Sequence, residues 1–262
     1  MLPFLELSKP AWLTNRAETI VHYYLSRFRL PWSGRGVARI RTPQGTNIKI
    51  PLSDQLAFLE LCQVFSSSNP WNRLVLDRGP KTIVDLGAHR GFTPLYWKSR
   101  FPNARVYCVE MDKTNASTCR ELFRFTDFEI KLSEAAIAAL DGSATYSSHD
   151  QSARHRLSDV IANDDAFTFD GPIYTVPTFT LSSYFDSIGL QKVDLIKVDI
   201  EGAEQHLLDS ISDWAPRVSM MLMEIHHNID QAAAKATLEA AGFEIEICDP
   251  ENRTEWWCRR MV

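Results

Sequence analysis

Five acidic side chains and one histidine fall where apolar runs of this 262-residue chain end: Asp85, Glu110, Asp199, Glu201, Glu224 and His226. If those runs are strands of a parallel sheet, the six side chains collect along one edge of it. Carboxylates there can face a cationic group, accept hydroxyl hydrogen bonds or take a proton, and imidazole can take a proton near neutral pH.

The first acid belongs to Thr82-Ile83-Val84-Asp85-Leu86-Gly87-Ala88-His89-Arg90-Gly91, read as a strand, a tight turn and a helix start. A purely structural turn is the weaker reading, because an acid ending a buried strand is costly without a partner. The glycines do not follow the G-x-G-x-x-G spacing of dinucleotide sites, and no Gly-Lys-Ser/Thr follows as in a P-loop. The spacing D-x-G-x-x-x-G suits a ligand without phosphates, with Asp85 toward a cationic group and Gly87, Ala88 and Gly91 leaving room for a tail. His89 and Arg90 are large for such a turn, and their side chains are expected to point to solvent; the alternative makes them part of an acceptor site. Glu110 ends the next strand, where a carboxylate can accept from both ribose hydroxyls of a nucleoside. Its competing reading is an acid favoured by a helix N-terminus.

The elements that must position these groups alternate. Before residue 76 the pattern is an appendage: helical spacing through Ile20, Val21, Tyr24, Leu25 and Phe28, a β-hairpin around Pro43-Gln44-Gly45, and a helix capped by Asp54. Strand and helix patterns alternate after residue 80, with Thr93 as the expected cap and Pro94 the expected first residue of the first helix. Asp112 caps the next. Asp141-Gly142 reads as a hairpin turn. Residues 143–172 read as a long irregular excursion, in which His149, Arg154, His155 and Arg156 are candidate acceptor contacts, though a solvated loop is the simpler reading. The last two strands are joined too closely to be parallel neighbours, so the final one should insert antiparallel. The expected fold class is α/β: a Rossmann-like, mostly parallel seven-stranded sheet with an antiparallel late strand and helices on both faces. The expected division is an N-terminal helical and hairpin extension, 1–75, and a main domain, 76–262.

Three stretches together resemble the FkbM-type S-adenosylmethionine-dependent methyltransferases: Asp85 to Gly91, Val109-Glu110-Met111-Asp112, and Leu195-Ile196-Lys197-Val198-Asp199-Ile200-Glu201-Gly202-Ala203-Glu204. Thr178-Phe179-Thr180-Leu181 and Met223-Glu224-Ile225-His226 also fit. The family's first turn usually carries asparagine where this chain has His89. The resemblance implies S-adenosylmethionine as methyl donor and O-methylation of a hydroxyl on a sugar or natural product. It places Asp85, Gly87 and Gly91 at the methionine end, Glu110 on the ribose, Met111 against the adenine, Glu134 and Ala135 around it, and Asp199 beside the transferable methyl.

Such a reaction needs an aligned acceptor and, where the hydroxyl must lose a proton, a base. His226 is the first choice, with Glu224 and Asp199 as the other catalytic candidates and a histidine that only supports its neighbours or packs in the core as the rival reading. Alternation puts Lys197 on the face of Asp199, which reads as a buried ion pair. Asp199, Glu201, Glu224, His226 and His227 could tempt a metal, but adjacent histidines point to opposite sides of a strand, and no metal is expected.

A net charge of −5 argues against a general nucleic-acid partner. Five cysteines without a CxxC pair argue against a disulfide framework or structural zinc. No apolar run is long enough to span a bilayer, and the first nine residues lack a signal-peptide layout. A cytoplasmic protein with a small-molecule or glycan acceptor is expected, its N-terminal extension a candidate homodimer surface. Two other functions remain open at this point: a cofactor-binding protein without transfer activity, perhaps a partner subunit, and an NAD-dependent oxidoreductase.

Overall fold

The computed structural model describes residues 36–41, 47–52, 55–65, 69–73, 79–147, 156–157, 172–248 and 254–261. The expected N-terminal helix, the hairpin turn at Pro43-Gln44-Gly45, the Asp54 cap, part of the extension offered as a dimer surface, and the centre of the excursion, with His149, Arg154 and His155, lie outside these residues.

A two-stranded antiparallel hairpin, β1 (Gly36–Arg41) and β2 (Asn47–Leu52), is followed by helix α1 (Gln55–Val64). The main sheet contains β3 (Thr82–Leu86), β4 (Arg105–Glu110), β5 (Ile130–Glu134), then β10 (Leu195–Val198), β11 (Met220–Glu224), β12 (Phe243–Ile247) and β13 (Glu255–Arg260). Its order is β12-β13-β11-β10-β3-β4-β5. All contacts from β11 to β5 are parallel, and β13 runs antiparallel to both its neighbours, as the short connection requires.

The strands bury both faces, and successive residues feed different cores. Ile83, Val106, Cys108 and Leu195 join a cluster with the hairpin, α1 and helix α2 (Phe92–Arg100). Val84, Tyr107, Val109, Ile196 and Val198 join the opposite cluster. There they meet helices α4 (Leu181–Ser187), α5 (Glu204–Asp209), α6 (Ile211–Trp214) and α7 (Gln231–Ala240). Ile40, Phe58, Leu61 and Trp71 therefore share one core with Leu95, Tyr96 and Trp97 across the expected boundary at residue 76.

Two local expectations change. Helix α2 starts at Phe92, with Gly91 at the cap in a left-handed conformation and no side-chain cap, so Thr93 lies inside the helix. Packing decides this: a Cβ on Gly91 would sit 2.9 Å from the Phe123 ring. Phe123 lies on helix α3 (Lys113–Thr126), whose own cap is as expected, Asp112 accepting from the N–H groups of Thr114 and Asn115. The excursion begins with regular structure instead of a loop. Strands β6 (Ala136–Ile137), β7 (Gly142–Ser147), β8 (Arg156–Leu157) and β9 (Ile173–Phe179) form a second sheet in the order β6-β9-β7-β8. Asp141-Gly142 does not join paired neighbours, because β9 arrives from later in the chain and lies between β6 and β7.

Candidate active site

The site grows from the turn after β3. Gly87 has φ 82°, and a Cβ there would lie 1.8 Å from the Asp199 carbonyl oxygen. The turn after β3 thus presses against the end of β10. The N–H groups of Gly87 and Ala88 both donate to the Val109 carbonyl at 3.0 and 2.9 Å. His89 follows at φ 50° and donates its N–H to Glu110 Oε2 at 2.7 Å, while Asp112 N–H donates to Glu110 Oε1 at 2.8 Å. Glu110 is held as a fixed plate at the floor of a cavity. Burial pushes its proton affinity up to about pKa 7, against the pull of those two N–H groups and of His89.

That cavity is lined by Gly87, His89, Glu110, Met111, Asn115, Ala135, Asp199 and Glu201, with apolar walls from Val109, Ala136, Ile137, Ile200 and Ala203. A carboxylate beside a narrow apolar slot fits a nucleoside: acceptors for ribose hydroxyls next to a place for a flat base. Of the residues expected on a cofactor, Gly87, Glu110, Met111, Ala135 and Asp199 line it. Ala88 lines a second cavity instead, with Gly87, His89 and Asp199. Asp85, Gly91 and Glu134 line neither. Gly91 serves the packing against α3. Glu134, the last residue of β5, turns its carboxylate to Arg120 on α3. Asn115, Ala136, Ile137 and Ala203 were not foreseen; Asn115 comes from the first turn of α3, a position with no motif of its own.

Asp85 is fully buried behind the turn, its Oδ1 3.7 Å from Lys197 Nζ. Lys197 also reaches Asp199 Oδ2 at 2.9 Å and donates to the Gly87 carbonyl at 3.1 Å. The ion pair expected from alternation is present and joins both acids to the turn. Burial pushes the Asp85 carboxyl up to about 7, with Lys197 pulling the other way. Asp199 is affected in the opposite sense: burial would raise it, but the closer Lys197 ammonium outweighs burial and holds it below the usual range.

At the ends of β10 and β11, His226 Nε2 lies 3.6 Å from Glu201 Oε2 and 3.9 Å from Asp199 Oδ1. One donor atom from each of the three falls within 4.8 Å of the others, a spacing a metal ion could use. His226 Nδ1 lies 2.9 Å from Glu204 Oε1, and that oxygen also accepts the N–H groups of Ile200 and Gly202. Burial alone would lower the histidine, yet Glu204 and the nearby acids lift it to about 9. Glu224, the last residue of β11, is pushed up to about 7 by burial and by Asp199. His227 is exposed. Glu204, which closes the stretch of highest resemblance, received no role from sequence reasoning, and it is the residue that holds the His226 ring.

His89 and Arg90 do not point to open solvent. His89 Nδ1 lies 3.2 Å and Arg90 Nε 3.7 Å from the Glu60 carboxylate on α1. Helix α1 is clasped to the turn, and both cavities have His89 in their walls.

A mostly parallel sheet with one antiparallel strand, and a cavity at the carboxyl ends of β3, β4 and β10, are the arrangement of a Rossmann-like fold with its ligand site at the strand ends. The chain belongs to the FkbM methyltransferase family, matching the methyltransferase FkbM domain over residues 85–245. It is 28% identical over 144 residues to the 2-O-methyltransferase NoeI of Sinorhizobium fredii, covering 51% of this chain and 58% of that protein. It is 24% identical over 185 residues to Methyltransferase 1 of Beauveria bassiana, covering 64% and 74%. Among solved structures, fibrillarin from Aeropyrum pernix with bound S-adenosyl-L-methionine superposes with a TM-score of 0.43 at 14% identity, over 86% of this chain and 94% of that one. Family membership sets aside the NAD-dependent reading. Among the described residues no helix is long and apolar enough to cross a membrane.

Proposed function

We propose that the chain O-methylates a hydroxyl of a sugar or natural-product-like small molecule. The observation that carries this reading is the approach of His226 to Asp199 and Glu201, two residues that line the Glu110 cavity. When bound, S-adenosylmethionine supplies an electrophilic methyl on a sulfonium. Glu110 would hold the ribose, Met111, Ala135 and Ile137 the adenine, and Gly87 with Asp199 the methionine end. Asp199, kept ionised by Lys197, favours positive charge beside it. The name of the relative NoeI, a 2-O-methyltransferase, agrees with a hydroxyl acceptor.

His226 is the base in this reading. The acceptor oxygen would bond to the methyl as the methyl–sulfur bond breaks to leave a neutral thioether, and would give its proton to Nε2, while Nδ1 stays bonded to Glu204. Because His226 holds a proton up to about pH 9, only its minor deprotonated fraction acts at neutral pH. The rate of transfer should then rise with pH and level off near 9. Mass spectrometry of hydroxylated acceptors incubated with the protein and S-adenosylmethionine tests the reaction. Cofactor binding without transfer to any of them would favour a binding protein that lacks transfer activity.

A second arrangement rests on the same three donor atoms: a divalent cation held by Asp199, Glu201 and His226 that binds the acceptor oxygen itself. Calorimetry with magnesium and manganese separates the two, since the base reading expects no specific heat of binding.

A further inference from the structure

We propose that the second cavity, between α1 and the sheet, is the acceptor site, and that it selects acceptors presenting hydrogen-bond donors and carrying no negative charge. This rests on placing the methyl donor in the Glu110 cavity.

The two cavities share Gly87, His89 and Asp199 and extend from them over different elements. One runs toward β4 and the start of β6. The other runs under α1 and over β10, β11 and β13. A group transfer needs donor and acceptor to meet at one point, and the shared residues are the place where ligands in both cavities would meet. The second cavity is also the larger, about 350 Å³ against about 130 Å³.

Its lining sets the chemistry. Four acidic residues line it, Glu60, Asp199, Glu224 and Glu255; Glu60 is met by His89 and Arg90 and Asp199 by Lys197, which leaves Glu224 and Glu255 as its acidic wall. Lys197 is already engaged by Asp199 and the Gly87 carbonyl. Glu224 and Glu255 stand directly opposite each other in the β11–β13 ladder. Like charges so placed repel, and a donor brought between them relieves the repulsion. A hydroxyl or ammonium group does so; a carboxylate or phosphate would be repelled. Trp71 gives an independent sign of a ligand. It lines the same cavity, and its indole N–H is buried without a hydrogen-bond partner. Buried donors are nearly always paired, and in the wall of this cavity an acceptor oxygen of a ligand would satisfy this one.

The test uses the whole chain saturated with S-adenosylhomocysteine, with saturation verified by calorimetry. Absence of that binding would overturn the cofactor placement itself and is read first. Ligand-observed NMR then compares three probes of one shape: methyl β-D-glucoside, its 2-amino analogue and the corresponding glucuronide. The proposal expects the neutral and amino probes to bind and the glucuronide to bind at least about tenfold more weakly. The Glu224→Gln/Glu255→Gln double variant, its folding checked by homocysteine-cofactor affinity, should lose that discrimination. Trp71→Phe should weaken the neutral probe while keeping the charge preference. Equal binding of the glucuronide to the natural chain, or binding of none of the three, overturns the proposal. So does binding of the probes to the cofactor-free chain that is lost once S-adenosylhomocysteine saturates it, which would give the cavity to the cofactor's tail.

Discussion

His226 Nδ1 lies 2.9 Å from Glu204 Oε1, and Glu204 is fully buried. A buried carboxylate is costly unless it is paired and bonded, and here one oxygen takes the imidazole and two backbone N–H groups. The pair fixes which ring nitrogen faces the site. Glu204→Gln should therefore return the His226 titration from about 9 toward the ordinary value near 6.5. NMR titration of the imidazole reads this without an acceptor, and Glu204→Asp should restore part of the shift. An unchanged titration in the glutamine variant would remove Glu204 from this role. His226→Ala should also destabilise the fold by roughly 3–5 kcal/mol, since it strands the carboxylate; urea denaturation measures it.

Glu110→Ala should weaken S-adenosylhomocysteine binding by roughly 1.5–3 kcal/mol, the worth of a hydrogen bond to a charged group. The variant also frees the His89 and Asp112 N–H groups that Glu110 now accepts. Calorimetry checks the affinity. If affinity is unaltered, Glu110 does not hold the ribose.

Gly87→Ala should abolish cofactor binding and lower the thermal midpoint. The added Cβ would overlap the Asp199 carbonyl oxygen, and the left-handed φ adds about 1–2 kcal/mol for any residue with a Cβ. A variant with normal midpoint and affinity would contradict the close approach of the turn to β10.

Stability should fall as pH rises from 5 to 9. Asp85, Glu110 and Glu224 all hold protons more tightly when folded, with values near 7 against the usual carboxylate range. The folded chain therefore carries extra protons between that range and 7, and raising the pH through this window costs stability. His226 acts in the same direction: its contribution is complete below about 6.5 and is lost through about 9. Asp199 is depressed and works the opposite way, but only at more acid pH. Urea midpoints at stepped pH measure the trend, and a midpoint that rises between pH 5 and 7 would refute it.

The sequence made much of this legible where the information is local. Alternation carried one residue past the end of β10 put Lys197 and Asp199 on one face, and they meet at 2.9 Å. The short link between β12 and β13 forced an antiparallel strand. The same rules failed where partners are distant in sequence. Nothing local tells that Glu60, on α1, will take the side chains of His89 and Arg90. Nothing local says that β9 will separate β6 from β7. Glu134 and Ala135 are neighbours with opposite fates, because the chain leaves one sheet for another between β5 and β6, turning the alanine to the cavity and the glutamate to Arg120.

Strand β13 follows β12 in the chain yet lies between β12 and β11. During synthesis β12 has no place in the main sheet until β13 has left the ribosome, and β11 is left with an open, apolar edge. Glu255, in the wall of the second cavity, comes from that same strand. The growing chain thus completes the β3–β4 half of its sheet early and the acidic wall late. A nascent chain stalled before β13 would expose a sticky edge to chaperones, and would lack the wall that pairs Glu224 with Glu255.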